Sequence, residues 1–200
     1  MKKITVKLTF IEPILGTSPA NEDIYREYIG SKSPDATTVE DEVASLGADA
    51  VAEKQMTVFP RTEDGKPFLY DYQIKGFFKD TCGGLRKVTG TASSKIKAFK
   101  KEIDKLIFPQ PRCIVFENHG DIGECQRPLR ASTAQGERVS LAMSEEIPAG
   151  ATVTFDIVCL CDEHETVVRE WLDYGAFSGI GQWRNSGKGR FTWEEVATER

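Results

Sequence analysis

The sequence lacks an apolar run long enough to cross a membrane, and it has no internal repeat of solenoid length and no low-complexity tract. Its first ten residues, MKKITVKLTF, alternate like a strand and do not form the continuous apolar block of a signal peptide. These absences argue against a membrane, secreted or repeat protein. Because the chain has 200 residues, of which 40% are hydrophobic, we expect a single soluble, cytoplasmic domain over residues 1–200.

Residues that bind transition metals are also scarce. The chain has five cysteines and two histidines. Cys159 and Cys161 are two apart on a predicted strand, but no second pair at ligand spacing accompanies them. We therefore expect reduced thiols packed in the core, no metal site and no cofactor.

The net charge of −5 gives no overall attraction for a polyanion, but the charge is unevenly distributed. Residues 61–112 carry twelve Lys and Arg against six Asp and Glu. Residues 12–54 carry three against ten, and residues 113–175 carry four against twelve. This asymmetry is compatible with a basic groove on an acidic protein, although five of the lysines belong to a predicted amphipathic helix and face water.

Hydrophobic periodicity predicts an α+β fold. Strands are predicted at residues 2–10, 56–59, 67–72, 112–116, 123–130, 137–143, 151–160 and 190–196, and helices at 73–88, 93–106 and 163–176. A turn at Glu63, Asp64 and Gly65 is predicted to join the second and third strands as a hairpin. Residues 17–55 are predicted to be an acidic helical insertion after the first strand, and 111–148 a projecting β-hairpin region. The coarse order matches the βαββαβ core of the ferredoxin-like, or RRM-like, fold.

The most distinctive stretch is residues 179–191, GIGQWRNSGKGRF, where four glycines alternate with cationic residues. Glycine at this density is typical of a loop that lies against another backbone or a ligand. One interpretation is a phosphate-binding loop whose N–H groups near residues 187–190 contact the ligand. The other is a turn that leads into the last strand. Trp183 would either stack on a base or anchor the loop on the core.

The helix that begins near residue 73 carries a second candidate feature. Lys75 and Lys79 lie one turn apart and are expected to contact a ligand together. Gly76, inside the same helix, lowers helix propensity by about 1 kcal/mol relative to alanine. We interpret it as a position that a neighbouring backbone or a ligand approaches closely.

Four stretches, in order, resemble the RAMP superfamily of CRISPR-associated RNA-binding proteins, and most of all its backbone subunits, which coat guide RNA. They are IEPILG, FLYDYQIKGFFKDTCGGLR, the segment from GECQRPLRAST to TFDIVC, and GIGQWRNSGKGRF. Together they cover a little over a third of the chain. The resemblance implies single-stranded RNA as the ligand, and effector-complex subunits or further copies of the chain as partners.

For this chain, the resemblance implies phosphate contacts made by the glycine-rich loop, extended by cations elsewhere. The implied nucleic-acid-binding residues are Gly179, Gly181, Trp183, Arg184, Gly187, Lys188, Gly189, Arg190, Lys75, Lys79, Arg61, Arg127, Arg130 and Arg138. Arg127, Arg130 and Arg138 would act from the projecting hairpin. Affinity built in this way depends steeply on salt and weakly on sequence.

Two alternatives remain open at this stage. The first is a solitary, phage-borne relative that binds a protein, favoured by the acidic segments. The second is a ribonuclease. His119 and His164 are the histidines available as a general base, and Asp23 and Asp35 lie where target-cleaving members of the superfamily have an aspartate, but none has a matching motif. We assign no catalytic residue.

Overall fold

The computed structural model describes residues 1–20, 56–133 and 136–197, including all of their side chains except those of residues 129–140. Within these residues the fold is α+β, as predicted, with two sheets and three α-helices. The helices are α1 (Asp71–Leu85), α2 (Phe99–Leu106) and α3 (Glu163–Asp173). The strands are β1 (Lys2–Phe10), β2 (Ile14–Leu15), β3 (Ser18–Pro19), β4 (Thr57–Val58), β5 (Phe68–Tyr70), β6 (Ile107–Gln110), β7 (Cys113–Asn118), β8 (Gly123–Thr133), β9 (Gly136–Ile147), β10 (Thr152–Cys159) and β11 (Phe191–Glu195). None of the described helices has the length and apolar character that crossing a membrane would require.

The first sheet has β1 and β10 at its centre and the strand order β11-β1-β10-β7-β5. Its neighbouring strands are antiparallel. Strand β6 also pairs with β10, where Ile107 lies opposite Cys159, whereas β7 meets the other end of β10. The two strands therefore occupy one edge of β10 in succession.

The strict alternation of β1 and β10 determines which face of this sheet is buried. Ile4, Val6, Leu8 and Phe10 of β1 are buried, as are alternate residues of β10 from Val153 to Cys159. Paired residues of antiparallel strands lie on the same face, so these two sets form a continuous apolar surface.

Helices α1 and α3 cover this apolar surface. Phe78 of α1 packs on Trp171 of α3 with ring centroids 5.3 Å apart, and Phe77 meets Phe191 of β11 edge-on at 5.2 Å. All four rings belong to one buried cluster with the inward residues of the sheet. Burial of aromatic and aliphatic side chains is the main term that stabilises such a layer.

The second sheet has the order β2-β9-β4-β3, and β8 pairs with β9 along its whole length. Strands β8 and β9 form a long hairpin within residues 111–148. Strand β2 ends this sheet against β9, where Ile14 lies opposite Ile147. Because β2 follows β1 after only three residues, the hairpin is attached close to the end of the central strand.

Two sequence predictions differ from the structure. The strands predicted at residues 56–59 and 67–72 do not form a hairpin ladder: β4 joins the second sheet and β5 the first, linked only by an isolated bridge between Arg61 and Pro67. The turn at Gly65 is present, but each strand pairs within a different sheet. The helix predicted over 93–106 is a 3-10 turn, Ser93–Lys95, followed by α2.

A buried polar cluster joins the 3-10 turn to α3. Glu170 accepts hydrogen bonds from the backbone N–H groups of Ala92 at 2.8 Å and Ser93 at 3.0 Å, and from the Ser93 hydroxyl. The Ser93 hydroxyl in turn accepts a 2.9 Å hydrogen bond from the Trp171 indole N–H. Ser93 and Trp171 are both fully buried, so no water replaces these partners.

We expect Ser93→Ala to lower the free energy of unfolding by about 1–3 kcal/mol, because it leaves the buried Trp171 N–H without an acceptor. Urea unfolding measures the change. The control is Ser94→Ala, since Ser94 is exposed and bonds only within its own turn; we expect a change within about 0.5 kcal/mol. Equal effects of the two substitutions would contradict the assignment.

Asp156 joins β10 to β1 on the other face of the first sheet. Its carboxylate lies 2.8 Å from Lys3 Nζ and accepts a 2.7 Å hydrogen bond from the Thr5 hydroxyl. Partial burial acts to raise the pKa of Asp156, but the hydrogen bonds from Lys3 and Thr5 and the Lys3 charge outweigh it, so the pKa is lowered from its ordinary value of 3.8.

We expect Asp156→Asn to lower the free energy of unfolding near pH 7 and to have a smaller effect near pH 3. A depressed pKa stabilises the folded state above the unfolded value of 3.8, and this contribution is lost as pH falls through the folded pKa. Urea unfolding at both pH values measures it, with exposed Asp121→Asn as the control. A wild-type-to-variant difference that is identical at both pH values would refute the linkage.

Candidate nucleic-acid interface

The glycine-rich loop, residues 179–190, connects the end of the helical layer to β11 and folds back on itself. A Cβ added at Gly179 would lie 2.1 Å from the carbonyl oxygen of Lys188, and one at Gly189 would lie 2.0 Å from that of Ile180. Gly189 also has a φ of +72°, which favours glycine. These glycines are therefore required for the two limbs of the loop to pack against each other.

Backbone hydrogen bonds close this contact. The Ile180 N–H donates to the Gly189 carbonyl at 3.0 Å, and the Gly189 N–H donates to the carbonyl of Pro13 at 2.8 Å. The Gly187 N–H donates to the backbone carbonyl of Arg184 at 2.9 Å. The N–H groups of Gly187 and Gly189, which were predicted to contact phosphate, are therefore already satisfied within the protein.

The cations of the loop are paired with carboxylates from elsewhere in the chain. Arg184 lies 3.0 Å from Asp80 of α1, Lys188 lies 2.6 Å from Glu146 of β9, and Arg190 lies 2.9 Å from Glu12. All of these pairs are at least partly exposed to solvent. Their charge is therefore locally neutralised, and a polyanion that binds these cations has to compete with the carboxylates.

The predicted cations outside the loop are also engaged. Arg61 lies 2.7 Å from Glu145, and Lys79 lies 2.5 Å from Asp104. Lys75 donates to the Asp104 carbonyl at 3.1 Å and lies 4.5 Å from the centre of the Phe108 ring. Lys75 and Lys79 thus point toward α2 and β6, which explains why they do not extend a track from the loop.

Arg130 and Arg138 stand on β8 and β9, opposite Val139 and Ala131 respectively. Their side chains lie outside the described residues. The third hairpin arginine, Arg127, is described and occupies a different environment.

Arg127 is buried, with only 8% of its surface exposed, and it reaches from β8 to the glycine-rich loop. Its Nη2 donates to the side-chain oxygen of Gln182, and its guanidinium carbon lies 5.5 Å from the centre of the Trp183 ring. Its Nε and Nη1 are buried and have no hydrogen-bond partner among the described residues. Within the described part of the chain, a buried guanidinium is therefore only partly satisfied, which is unfavourable unless a further acceptor arrives.

Trp183 covers this guanidinium in a strained conformation. Its φ of 54° and ψ of 36° place it in the left-handed region, which bulky residues rarely adopt. Among the described residues, Trp183 is the only one other than glycine with a positive φ. Its side chain remains 42% exposed. Backbone strain of this kind is concentrated at functional sites, where surrounding structure maintains it.

Two surface depressions meet at the loop. The first, of about 350 Å³, is lined by Arg127, Gly181, Gln182, Trp183, Arg184 and Asn185. The second, of about 360 Å³, is lined by Thr17, Tyr72, Gln73, Gly76, Phe77, Ile180, Gly181 and Arg184. Gly181 and Arg184 line both, so the two depressions adjoin each other between α1 and the hairpin, and together we call them the loop groove.

The aromatic side chains of the loop groove suit it to flat ligands. Trp183 is at one end, and Tyr72, which is 55% exposed, is at the other. Tyr72 stacks on Tyr70 with ring centroids 5.0 Å apart and planes at 17°. Each nucleobase has a flat face that can stack on such rings.

The structure brings together some of the predicted site residues and separates others. Gly181, Trp183, Arg184 and Arg127 line the loop groove, whereas the described side chains of Arg61, Lys75, Lys79, Lys188 and Arg190 do not. The predicted site residues did not include several polar residues that line the loop groove: Tyr72, Gln73, Gln182, Asn185 and Thr17. The alternating aromatics at residues 68, 70 and 72, just before a helix, were the available signal for Tyr72.

Gly76 has a different explanation from the expected one. Apart from the backbone of its own helix, no atom of the described residues lies within 4 Å of where its Cβ would be, so none of these residues requires glycine there. It faces the open floor of the loop groove. Of the two approaches that the sequence suggested, a backbone is ruled out and a ligand is compatible.

The two candidate catalytic residues that the structure describes, His119 and His164, do not assemble into a site. His119 is in a turn, with Nδ1 2.7 Å from the Gly120 carbonyl, and His164 is buried with Nε2 3.3 Å from Glu102. Neither lines the loop groove. Asp23 and Asp35 lie outside the described residues, and no group of three or more metal-ligating side chains occurs in the rest.

Comparison with known proteins identifies a shared fold. No protein-family model matches the sequence, and no curated protein matches it. A solved chain does match: it belongs to the cryo-EM structure of the Type III-B Cmr-beta bound to cognate target RNA, with a TM-score of 0.52 and 10% sequence identity. The two chains share a fold. The match covers 99% of this chain and 60% of that one, so this chain spans about three fifths of its neighbour's length.

We expect Gly189→Ala to lower the free energy of unfolding by at least about 2 kcal/mol, because alanine is strained at positive φ and its Cβ would collide with Ile180. The control is Gly76→Ala, which meets open space inside α1 and should stabilise the protein by about 0.5–1 kcal/mol. Thermal and urea unfolding measure both. A neutral Gly189→Ala would mean that the loop does not close as described.

Proposed function

We propose that this chain is a RAMP-like protein with a ferredoxin-like core that binds single-stranded RNA in the loop groove. The strand order β11-β1-β10-β6, with α1 and α3 as the helical connections, supports the ferredoxin-like assignment. The shared fold with a chain from an RNA-bound Cmr-beta structure is in keeping with it. At this level of identity, however, the ligand must be argued from the groove itself.

The observation that carries the proposal is the composition of the loop groove. It is open to solvent, it has an exposed aromatic ring at each end, and it has Arg184 between them. A single strand has flat bases joined by anionic phosphates, so it can stack on Trp183 and Tyr72 while a phosphate meets Arg184. Gln182 and Asn185 add amide groups that can hydrogen-bond base edges.

This mechanism differs from the one that the glycines suggested. The glycines shape the floor of the groove, and contacts to RNA come mainly from side chains. Because Arg184 is paired with Asp80 on a partly exposed surface, RNA must displace a carboxylate to reach it. Net affinity from this contact is therefore smaller than that of a free guanidinium and is reduced further by salt.

We also propose how the chain is divided and which molecules it assembles with. We assign residues 1–200 to one RAMP-like domain, with 17–55 as an acidic insertion and 111–148 as the hairpin region that carries Arg127. Partners of the chain would be effector-complex subunits or further copies of itself, with RNA shared between them. We assign no catalytic role to any residue.

The test is salt-titrated binding of a fluorescently labelled single-stranded RNA. We expect Trp183→Ala to weaken binding by about tenfold, because loss of one base stack costs about 1–3 kcal/mol. Arg184→Glu should weaken binding and reduce the slope against log salt by about one. Arg112→Glu is the charge-matched control, since Arg112 is exposed and lines neither part of the groove.

The carboxylate partner gives a gain-of-function arm. Asp80→Asn frees Arg184, so we expect a several-fold increase in RNA affinity at low salt, consistent with the modest energy of exposed ion pairs. The proposal fails if wild type does not bind RNA, or if Arg112→Glu weakens binding as much as Arg184→Glu does.

A protein-interaction role is the second candidate, and the ion pairing favours it. Five of the predicted cations are neutralised by the protein's own carboxylates, while residues 113–175 keep a large acidic excess. A surface with this balance repels RNA and attracts a basic protein. Absence of RNA binding by both wild type and Asp80→Asn would favour this second role.

A further inference from the structure

Arg127 differs from the other predicted cations in what neutralises it. Arg61, Lys79, Arg184, Lys188 and Arg190 each lie within ion-pair distance of a carboxylate. Within the described residues, Arg127 has an amide oxygen from Gln182 and an aromatic face from Trp183, but no carboxylate. It is also the most buried of these cations, and two of its nitrogen atoms have no acceptor in the part of the chain that the structure describes. A buried charge in this state lacks both its counter-ion and its full set of hydrogen bonds.

The group that packs against the Arg127 guanidinium is itself strained. Trp183 lies over the guanidinium. Its backbone is in the left-handed region, where a tryptophan, unlike a glycine, is strained. The cation–π contact provides some attraction, but it supplies no hydrogen-bond acceptor to Nε or Nη1. Residues Gly181 and Gly187, on either side of Trp183, both have φ near +90°, so the segment is bounded by positions with wide backbone freedom.

We propose that Arg127 is a phosphate-binding residue held under a movable cover, and that an incoming phosphate group displaces Trp183 and takes the unfilled donors of the guanidinium. Displacement relieves the backbone strain at Trp183 and supplies an anion to Arg127, so both unfavourable features of the resting state disappear together. The displaced indole becomes available for stacking on a base. The adjoining depression, of about 350 Å³, is within the range of small-ligand sites and suits one nucleotide.

This inference deepens the proposed function and rests on it for the source of the phosphate, which is either a terminal phosphate monoester or an internal phosphodiester of RNA. The shared chemistry is a tetrahedral anion whose oxygens accept hydrogen bonds from the guanidinium. Binding at Arg127 itself does not require that RNA be the ligand, so the two ideas can fail separately.

The first experiment uses inorganic pyrophosphate as the probe and calorimetry as the measurement. Wild type should bind it saturably, and Arg127→Met should bind at least about tenfold more weakly, because charge-assisted hydrogen bonds are lost. Trp183→Gly should bind several-fold more tightly, because glycine accepts the left-handed conformation and removes the cover. Arg112→Met, an exposed arginine outside the groove, is the matched control and should bind as wild type does.

A second readout separates this role from a structural one. With no ligand present, Arg127→Met should unfold at the same temperature as wild type or a higher one, since replacing an unsatisfied buried charge by an apolar side chain of similar length is neutral or stabilising. Added pyrophosphate should raise the unfolding temperature of wild type but not of the variant. A markedly less stable Arg127→Met, or equal pyrophosphate binding by the variant and wild type, overturns the proposal.

The third experiment identifies the source. Emission from Trp183, taken as wild type minus Trp183→Phe, is followed while a single-stranded oligonucleotide is added with or without a 5′-phosphate. A response only with the 5′-phosphate assigns a terminal monoester, and an equal response to both assigns an internal phosphodiester. Pyrophosphate binding that depends on Arg127, with no response to either oligonucleotide, supports the covered phosphate site and contradicts the proposed RNA function. RNA binding that is unchanged in Arg127→Met supports the proposed RNA function and contradicts the covered phosphate site.

Discussion

The backbone contact between residues 179–180 and Gly189 is the constraint on which the candidate site depends. It draws the two limbs of the glycine-rich loop together, and the Gly189 N–H ties them to Pro13 just beyond β1. The next carbonyl, that of Arg190, accepts the N–H of Ile11 at 2.9 Å before β11 pairs with β1. The loop is therefore an extension of the central sheet, and the groove beside it has a fixed floor. Trp183 and Arg184 lie on the segment that this closure leaves outside the contact.

Charge on this protein is arranged in local pairs drawn from distant parts of the sequence. Arg190 pairs with Glu12, and Arg184 with Asp80, so the acidic excess of the chain is used partly to neutralise its basic positions. Such pairs contribute little to stability when exposed. An anionic ligand must nevertheless displace the carboxylate before it can contact the cation. A single weak anion gains little by exchanging with a carboxylate. A polyanion that makes several contacts at once gains from each, because the later contacts are effectively intramolecular.

Local patterns in the sequence were sufficient for most secondary structure. Alternation in β1 and β10 and the apolar stripes of α1 and α3 correspond to buried faces, because periodicity directly reflects which side of an element meets the core. Strand partners were harder, since β4 and β5 are short and each is stabilised by a different sheet. Their adjacent turn chemistry suggested a hairpin that tertiary pairing overrides.

The site was less predictable than the fold for a related reason. Glycine density correctly marked residues 179–191 as a place of close approach, but the approaching group is the loop's own backbone. The candidate cations were identified by residue type alone. Their carboxylate partners lie up to 178 residues away in the chain, so the sequence around each cation does not indicate the pairing. Arg127 and Trp183 were chosen for separate reasons, and only the fold places one over the other.

Gly181 and Arg184 line both halves of the groove, so the halves are not energetically independent. A substitution at Arg184 changes the ion pair with Asp80, the wall facing Tyr72 and the wall facing Trp183 at once. Effects of mutating the two aromatic ends should consequently fail to add when both are changed. Gly181 and Arg184 form a boundary that both depressions share. The contribution of each depression to binding can therefore be separated only with double-mutant cycles.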